Sequence, residues 1–509
     1  MKSESVLLIH PPVSKPCEPP SGLAKLAGAL QYHGVSSRLI DANLEGLLHL
    51  LAGSCGLSDT WTRRAYAHRD ESLAELRSMA GYKNIGRYTR VVMEMNRILH
   101  VASGPDGKRV GMGNYQDREL SPLRSADLIT AAELPDQNPF FPYFKTRIVT
   151  VCEETPPSLV GISLNYLSQA LNTFALVGFL KKICPQVRIV LGGGLITSWM
   201  RRPDWKNPFS GLIDETVAGP GEKSLLSLVG IHNNREDYIP SYEAFPLTDY
   251  LAPVPILPYS ASIGCYWNRC SFCPERAEGT LYRAVSAERI ISDLSFLHRR
   301  MKPGLIHFLD NALSPALLNV LSENHLEAPW YGFARVSDRL ADRDFCRALK
   351  HSGCVMLKLG IESGDQDVLD ALRKGITITA ISAALQALKA SGIATYVYLL
   401  FGTPAETETS ARKTLAFTVR HSDLIDFLNL AIFNLPAFGP DTEKMETEDF
   451  YEGDLSLYRS FVHPEGWGRA RVRQFLDREF KRHGAIQSIL KNDPPIFTSN
   501  HAPFFVMQL

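Results

Sequence analysis

The chain has 509 residues, is 45% hydrophobic and 21% charged, and carries a formal net charge of zero. That composition is globular rather than disordered, and the length calls for two or three domains. A balanced charge gives no basic field for nucleic acid and no polybasic segment for a membrane surface.

The opening MKSESVLLIHPP holds only a short apolar run, and no later stretch reaches the span of about eighteen apolar residues that a membrane helix needs. The expectation is a cytoplasmic protein whose nine cysteines stay mostly reduced. SVLLIHPP (5–12) reads as a buried strand stopped by two prolines, SGLAKLAGALQYHG (21–34) as a helix ending at Gly34, and SSRLIDANL (36–44) as a second strand. Residues 45–147 break the rhythm and read as a helical insertion. Strand and helix then alternate through SLVGISLNY (158–166), SQALNTFALVGFLKKIC (168–184), VRIVLGGGL (187–195) and IDETVAGPGEKSLLSLVG (213–230). This alternation predicts an α/β domain over 1–238, flavodoxin-like, with ligands at the carboxyl ends of parallel strands.

The proline-rich stretch 239–258 reads as a linker. A second series follows, with strands expected at 259–265, 304–310, 330–335, 355–362, 394–402 and 427–435, separated by helical segments. Six such units predict a partial (β/α)6 barrel over 259–440, with its site at the carboxyl ends of the strands. Residues 441–509 read as a mostly helical extension. Within it FVHPEGWGRARVRQF (461–475) either packs as a helix on the barrel or turns its aromatic and arginine side chains toward a planar or anionic substrate.

SIGCYWNRCSFCPERAEG (262–279) places Cys265, Cys270 and Cys273 in a C-x4-C-x2-C pattern just after the first strand of the second series. One reading is a structural zinc site, which needs a fourth ligand from His298, His307 or Cys354. The other is a [4Fe–4S] cluster on three thiolates, which leaves one iron open to a substrate or cosubstrate. The remaining cysteines, at 17, 55, 152, 184, 346 and 354, read as small buried hydrophobes.

Three clustered cysteines after the first barrel strand, with an aromatic (Phe272) before the last, resemble the radical SAM superfamily. Its usual spacing is C-x3-C-x2-C, so this chain has one extra residue between the first two cysteines. FLDNALSP (308–315), FARVSDRL (333–340), GIESGDQDVLDALRKGIT (360–377) and LLFGTPAETETSARKTLAF (399–417) resemble its second to fifth strand segments. The resemblance implies a cluster on the three cysteines and S-adenosylmethionine at the open iron, reductively cleaved to a 5′-deoxyadenosyl radical. It also implies Phe272 against the adenine, Arg335 at the carboxylate, and Glu362 and Ser363 at the ribose or methionyl part. Asp310 is a further cosubstrate candidate; as a cap of the following helix it would be structural.

A flavodoxin-like domain ahead of such a barrel is similar to the cobalamin-binding class of the superfamily. The matching stretches are LLIHPPVSKPCEPPSGLAKLAGAL (7–30), LIDAN (39–43), VGISLNY (160–166), IVLGGGL (189–195) and VAGPGE (217–222). Gly192, Gly193, Gly194, Gly219 and Gly221 would let the backbone approach a corrin ring, with Asn165, Tyr166, Ser168 and Glu222 beside it. The D-x-H-x-x-G motif that supplies a cobalt ligand in many cobalamin domains is missing from the sequence. The resemblance therefore implies cobalamin bound without a protein histidine, or a domain that has lost it. The expected activity is methylation of an unactivated carbon of a small-molecule or peptide substrate, with an electron donor such as flavodoxin or ferredoxin. Cyclisation, ring contraction or oxidation without methyl transfer is the alternative, and a non-catalytic zinc scaffold is a third reading.

Overall fold

The computed structural model describes every residue except 1–4, 55–58, 105–106, 234, 236, 440–441, 450–452 and 508–509. Cys55 thus lies outside the described residues. The chain divides into one unit of residues 1–255 with 451–457 and another of 256–450 with 458–509.

Five parallel strands form the sheet of the first unit: β1 (Val6–His10), β2 (Ser37–Asp41), β3 (Leu159–Ser163), β4 (Arg188–Gly192) and β5 (Glu215–Thr216). Their order is β2-β1-β3-β4-β5, the flavodoxin-like order, whose reversal between β1 and β3 opens a crevice at the carboxyl edge. All five residues of β1 and of β3 are buried, as uninterrupted apolar strands of a two-sided parallel sheet must be. The second strand stops earlier than its sequence suggests. Asp41 accepts a hydrogen bond from Leu44 N–H at 3.0 Å and caps a helix, Ala42–Ala52, that already belongs to the long excursion.

That excursion contains helices Thr60–Ala67, Arg69–Leu76, Ile85–Ala102, Ser125–Glu133 and Phe141–Glu154 and a two-stranded hairpin, 109–116. It is anchored on the helix Leu167–Ile183, which is buried nearly all round. A Cβ on Gly178 of that helix would lie 1.8 Å from the carbonyl oxygen of Ala132, so the two helices meet backbone to backbone. Gly178→Ala should therefore cost about 2 kcal/mol or more, read as a lower urea midpoint, because neither backbone can give way cheaply.

The stretch 239–255 is packed rather than free, which corrects its reading as a linker. Tyr242, Phe245, Tyr250 and Leu251 are buried. Ser241 N–H bonds Ala24 O at 2.8 Å, and the Tyr250 hydroxyl donates to Asp41 at 2.6 Å.

In the second unit six parallel strands follow one another in space: β6 (Ile256–Tyr259), β7 (Leu305–Leu313), β8 (Trp330–Ala334), β9 (Cys354–Glu362), β10 (Ala394–Phe401) and β11 (Phe427–Ile432). Helices separate them in sequence, giving the expected six-unit partial barrel. Its first strand lies within the proline-rich segment, before the position the sequence suggested. β6 is an edge strand, where a proline such as Pro258 leaves the ladder intact. Ser262–Ile263 instead pairs with Arg283–Ala284 in a short antiparallel ribbon that flanks the cysteine loop.

Among the described residues the α-helices of the C-terminal extension begin at Arg469, after a short 3-10 turn at Thr442–Lys444. Before Arg469, Leu435–Pro436, Thr447–Asp449 and Tyr458–Phe461 form a three-stranded antiparallel sheet. Among the described residues no helix is long and apolar enough to cross a membrane.

Candidate active site

The cysteine loop leaves the carboxyl end of β6, on the rim where barrel enzymes place their chemistry. Its stem is held by Asp310 of β7. This carboxylate is buried and accepts from Ala261 N–H at 3.0 Å and from the Ser262 hydroxyl at 2.5 Å. Asp310 thus ties down the entry to the loop, and the next helix is capped by Ser314 instead, which corrects the reading of Asp310 as its cap.

Cys265, Cys270 and Cys273 are free thiols and all half-buried. Burial pushes Cys270 above the ordinary thiol range, while Lys374 and Arg335 pull it down. Burial also raises Cys273, and the backbone N–H groups of Arg276 and Glu275 oppose this by pointing at its sulfur. Burial is the larger effect for both thiols; the cations and amide dipoles reduce the rise without reversing it. Cys273 feels both Cys265 and Cys270, so the three sulfurs share one neighbourhood. Among the described residues no three His, Cys, Asp or Glu side chains converge tightly enough for a single metal ion. Each proposed fourth zinc ligand is engaged elsewhere: His298 with Glu327 at 3.1 Å, His307 with Lys358 at 3.0 Å, and Cys354 fully buried at the start of β9. The donor set of three thiols, with cations beside it, fits an iron–sulfur cluster better than a mononuclear zinc.

Around the cysteines the structure gathers Arg335, Glu362 and Phe272. Phe272 is half-exposed, not a core aromatic, and the Lys374 ammonium stands 5.5 Å from its ring centroid. Glu362 closes β9 with φ +70° and binds Lys374 at 2.7 Å, in a pair whose side chains are 11% and 9% exposed. Gly360 is required below it, since a Cβ there would come 2.5 Å from the Glu362 carboxylate. Ser363 does not face the site: it is fully buried, with its hydroxyl 3.1 Å from that of Thr414 and accepting from Asp365 N–H at 3.1 Å. Its side chain ties β9 to the helix Glu408–Arg420.

Sequence reasoning passed over Lys374 and left the role of Trp267 open. Lys374 stands inside the quoted fourth-strand segment, but nothing local marks it as the partner of a glutamate twelve residues earlier.

FVHPEGWGRARVRQF resolves in favour of packing. Trp467 is buried and its indole N–H donates to Glu406 at 2.9 Å; Gly402 N–H donates to the same oxygen at 2.5 Å. His463 donates to Thr403 O at 2.9 Å. The segment is thereby keyed to the loop after β10. Burial raises the Glu406 carboxyl from 4.5 to about 7. Between those values the folded chain keeps a proton that the unfolded chain has released. The stabilisation is fully present below 4.5 and is lost as pH rises through about 7. Glu406→Gln should remove that loss, on the order of 3 kcal/mol, from urea stabilities compared at acidic and mildly alkaline pH.

In the first unit the candidate cofactor residues line the carboxyl edge of the sheet. Gly193 has φ +105°, and a Cβ on it would lie 2.4 Å from Leu164 O, so only glycine fits the turn out of β4. Gly192 ends β4, and Gly194 opens the next helix with its N–H on Asn165 Oδ1 at 3.0 Å. Asn165 therefore joins two loops, and the Ser168 hydroxyl donates to Val13 O at 2.8 Å. Both side chains serve the loops directly. Tyr166 is 58% exposed, yet the surrounding protein still raises its phenol pKa, as for a side chain standing in a crevice. Gly219 N–H bonds Thr197 Oγ1 at 2.9 Å, and Gly221 and the half-buried Glu222 begin the helix Glu222–Leu228.

Beneath this edge lies a polar network that the sequence did not announce. Gln169 donates to Pro11 O at 2.7 Å, Asn172 to Pro12 O at 3.1 Å, and Ser14 N–H bonds Asn43 at 2.7 Å. Together they fix the loop after β1. His10 is buried in the network, 3.0 Å from the Ser14 hydroxyl, and burial lowers its pKa.

The comparisons with known proteins agree with this geometry. Residues 259–418 match the family model described as the radical SAM superfamily. An uncharacterized methyltransferase of Pyrococcus horikoshii is 26% identical over 308 residues, covering 53% of this chain and 66% of the relative. A hopanoid C-3 methylase of Methylococcus capsulatus is 24% identical over 339 residues, covering 59% and 63%. The match thus spans a little under two thirds of these relatives' own lengths. Among solved structures, the cobalamin-dependent S-adenosylmethionine radical enzyme OxsB with aqua-cobalamin and S-adenosylmethionine bound gives a TM-score of 0.51 at 14% identity, over 85% of this chain and 53% of that one. The methyltransferase TsrM of Kitasatospora setae, with cobalamin and a [4Fe–4S] cluster bound, also gives 0.51, at 16% identity over 87% and 78%. With a three-cysteine loop on the first strand of a six-stranded barrel and a flavodoxin-like unit before it, the chain carries a radical SAM domain at 259–418 and has the fold of cobalamin-dependent radical SAM enzymes.

Proposed function

We propose that this protein is a cobalamin-dependent radical SAM methyltransferase acting on an unactivated carbon of a small-molecule or peptide substrate. The observation that carries the reading is the three-thiol loop at the carboxyl end of β6, with Lys374 and Arg335 set against it. When bound, the cluster and S-adenosylmethionine supply a 5′-deoxyadenosyl radical, and cobalamin supplies the methyl group.

The chain's own residues divide the remaining work. Cys265, Cys270 and Cys273 hold the cluster and leave its fourth position to the cosubstrate. Asp310 fixes the loop stem through Ala261 and Ser262. Phe272, half-exposed beside Lys374, offers a face to the adenine. Lys374 holds Glu362 in place, so that the end of β9 can meet the polar part of the cosubstrate. The barrel walls keep water from the reacting atoms. In the first unit the backbone at Gly193 and Gly194, with the exposed Tyr166 beside them, forms the approach for a planar corrin; His10 is buried, with its Nε2 3.0 Å from the Ser14 hydroxyl. A soluble low-potential donor such as flavodoxin or ferredoxin delivers the electron.

The test is anaerobic reconstitution with iron, sulfide and hydroxocobalamin, desalting, and metal and corrin analysis. About four irons and one cobalamin per chain are expected, with S-adenosylhomocysteine and 5′-deoxyadenosine both formed on turnover. Iron without cobalamin would remove methyl transfer through cobalt. Iron and cobalamin together, with 5′-deoxyadenosine but no S-adenosylhomocysteine on turnover, would favour the alternative of cyclisation, ring rearrangement or oxidation, for which a similarity of 26% over 159 residues to an anaerobic magnesium-protoporphyrin IX monomethyl ester cyclase of Rubrivivax gelatinosus is the relevant observation.

A further inference from the structure

The segment CYWNRC (265–270) has one residue more between its cysteines than the spacing usual in the superfamily, and the fold uses the surplus. Asn268 takes φ +41°, a left-handed turn within the loop. Trp267 is seated against Gly375, where a Cβ would stand 2.3 Å from the indole. Its N–H donates to Arg373 O at 3.1 Å. The Arg335 guanidinium lies 3.6 Å from the centroid of the same indole. Arg335 also donates to the carbonyls of Lys374 and of Gly375, the latter at 3.0 Å, and is bonded to the Tyr266 hydroxyl. Ser271 N–H bonds Leu372 O at 3.0 Å, so the loop is stitched to residues 372–375 on both sides of Cys270. Arg335 interacts electrostatically with Cys265 and Cys270.

We propose that Arg335 is a positioning residue: seated on Trp267, it fixes a permanent positive charge beside Cys265 and Cys270 and makes a [4Fe–4S] cluster held there easier to reduce. The inference rests on the proposed cluster but concerns this chain's own charge. A guanidinium stays protonated throughout the working pH range and stacks on an aromatic face, so its charge neither titrates away nor swings into solvent. Placed in partly buried protein, it stabilises whichever cluster state carries one more electron. The step is a single electron gained from a chemical reductant such as dithionite, with no bond made or broken and no proton moved.

The test is an anaerobic redox titration of the reconstituted cluster, followed by electron paramagnetic resonance without S-adenosylmethionine, after measuring iron and sulfide. Arg335→Gln is expected to shift the reduction equilibrium about tenfold against the reduced form, equal to about 59 mV for one electron. Arg335→Lys keeps the charge and should stay within about twofold of wild type. Trp267→Leu removes the seat and not the charge, and should shift the equilibrium about threefold in the same direction as Gln. If the Gln variant loses its iron, the Lys and Leu variants carry the test alone. Wild-type protein that binds no iron defeats the proposed function itself. A bound cluster whose midpoint is the same in wild type and in Trp267→Leu, or that moves as far in Arg335→Lys as expected for Gln, overturns the role of Arg335.

Discussion

Cys270→Ala is expected to abolish iron retention after reconstitution, while Cys354→Ala keeps it near the wild-type level. The two thiols differ in every respect that matters to a metal. Cys270 is half-buried on the barrel rim beside two cations, which offset part of the rise that burial gives its thiol. Cys354 is fully buried at the start of β9, with its sulfur turned to Met356 O and its pKa driven up by burial. Removing one of three protein ligands leaves two thiolates for a cubane, too few to hold it against chelation. Removing Cys354 deletes one small buried group at the far end of the strand, at a stability cost of about 1 kcal/mol and no cost in iron. Iron and sulfide content per chain, with the charge-transfer absorption of the reconstituted proteins, reads the difference. Equal iron loss in both variants would show that Cys270 has no special place.

What could be read from the sequence was local or periodic. The alternation of apolar strands and amphipathic helices identified both parallel sheets, because each unit repeats within about 30 residues. The cysteine loop was legible because its three ligands lie within nine positions. β6 was misplaced because prolines mask a strand unless its edge position is known. The antiparallel sheet at 435–461 was missed because its strands are two to four residues long and carry no period. The bonding of site residues was illegible for a related reason. Asp310, Ser363, Asn165 and Ser168 were named from motifs, and their polar atoms bond residues distant in sequence: Ala261, Thr414, Gly194 and Val13. A motif shows which residue type occupies a rim. It does not show which way that residue's hydrogen bonds run.

Lys374→Met should be the most damaging change outside the cysteines, and the reason lies in what it leaves behind. Lys374 and Glu362 are each about nine-tenths buried and bonded at 2.7 Å. Glu362 already occupies a left-handed conformation at φ +70° that only its surroundings maintain. Deleting the ammonium strands a carboxylate away from water and beside Cys270, which already feels the Glu362 charge. Breaking a buried pair in this way costs about 3 kcal/mol or more, read as a fall in the urea midpoint of the protein before reconstitution. The same charge change works against the cysteine thiolates, so iron retention should fall as well. The double variant Lys374→Met with Glu362→Gln removes both charges and should recover much of the stability. The damage in the single variant then belongs to the orphaned charge and not to lost packing. Recovery of stability without recovery of iron would show that the ammonium itself, rather than mere neutrality, is what the cysteine loop needs. A double variant no more stable than Lys374→Met would mean that the pair contributes through shape alone.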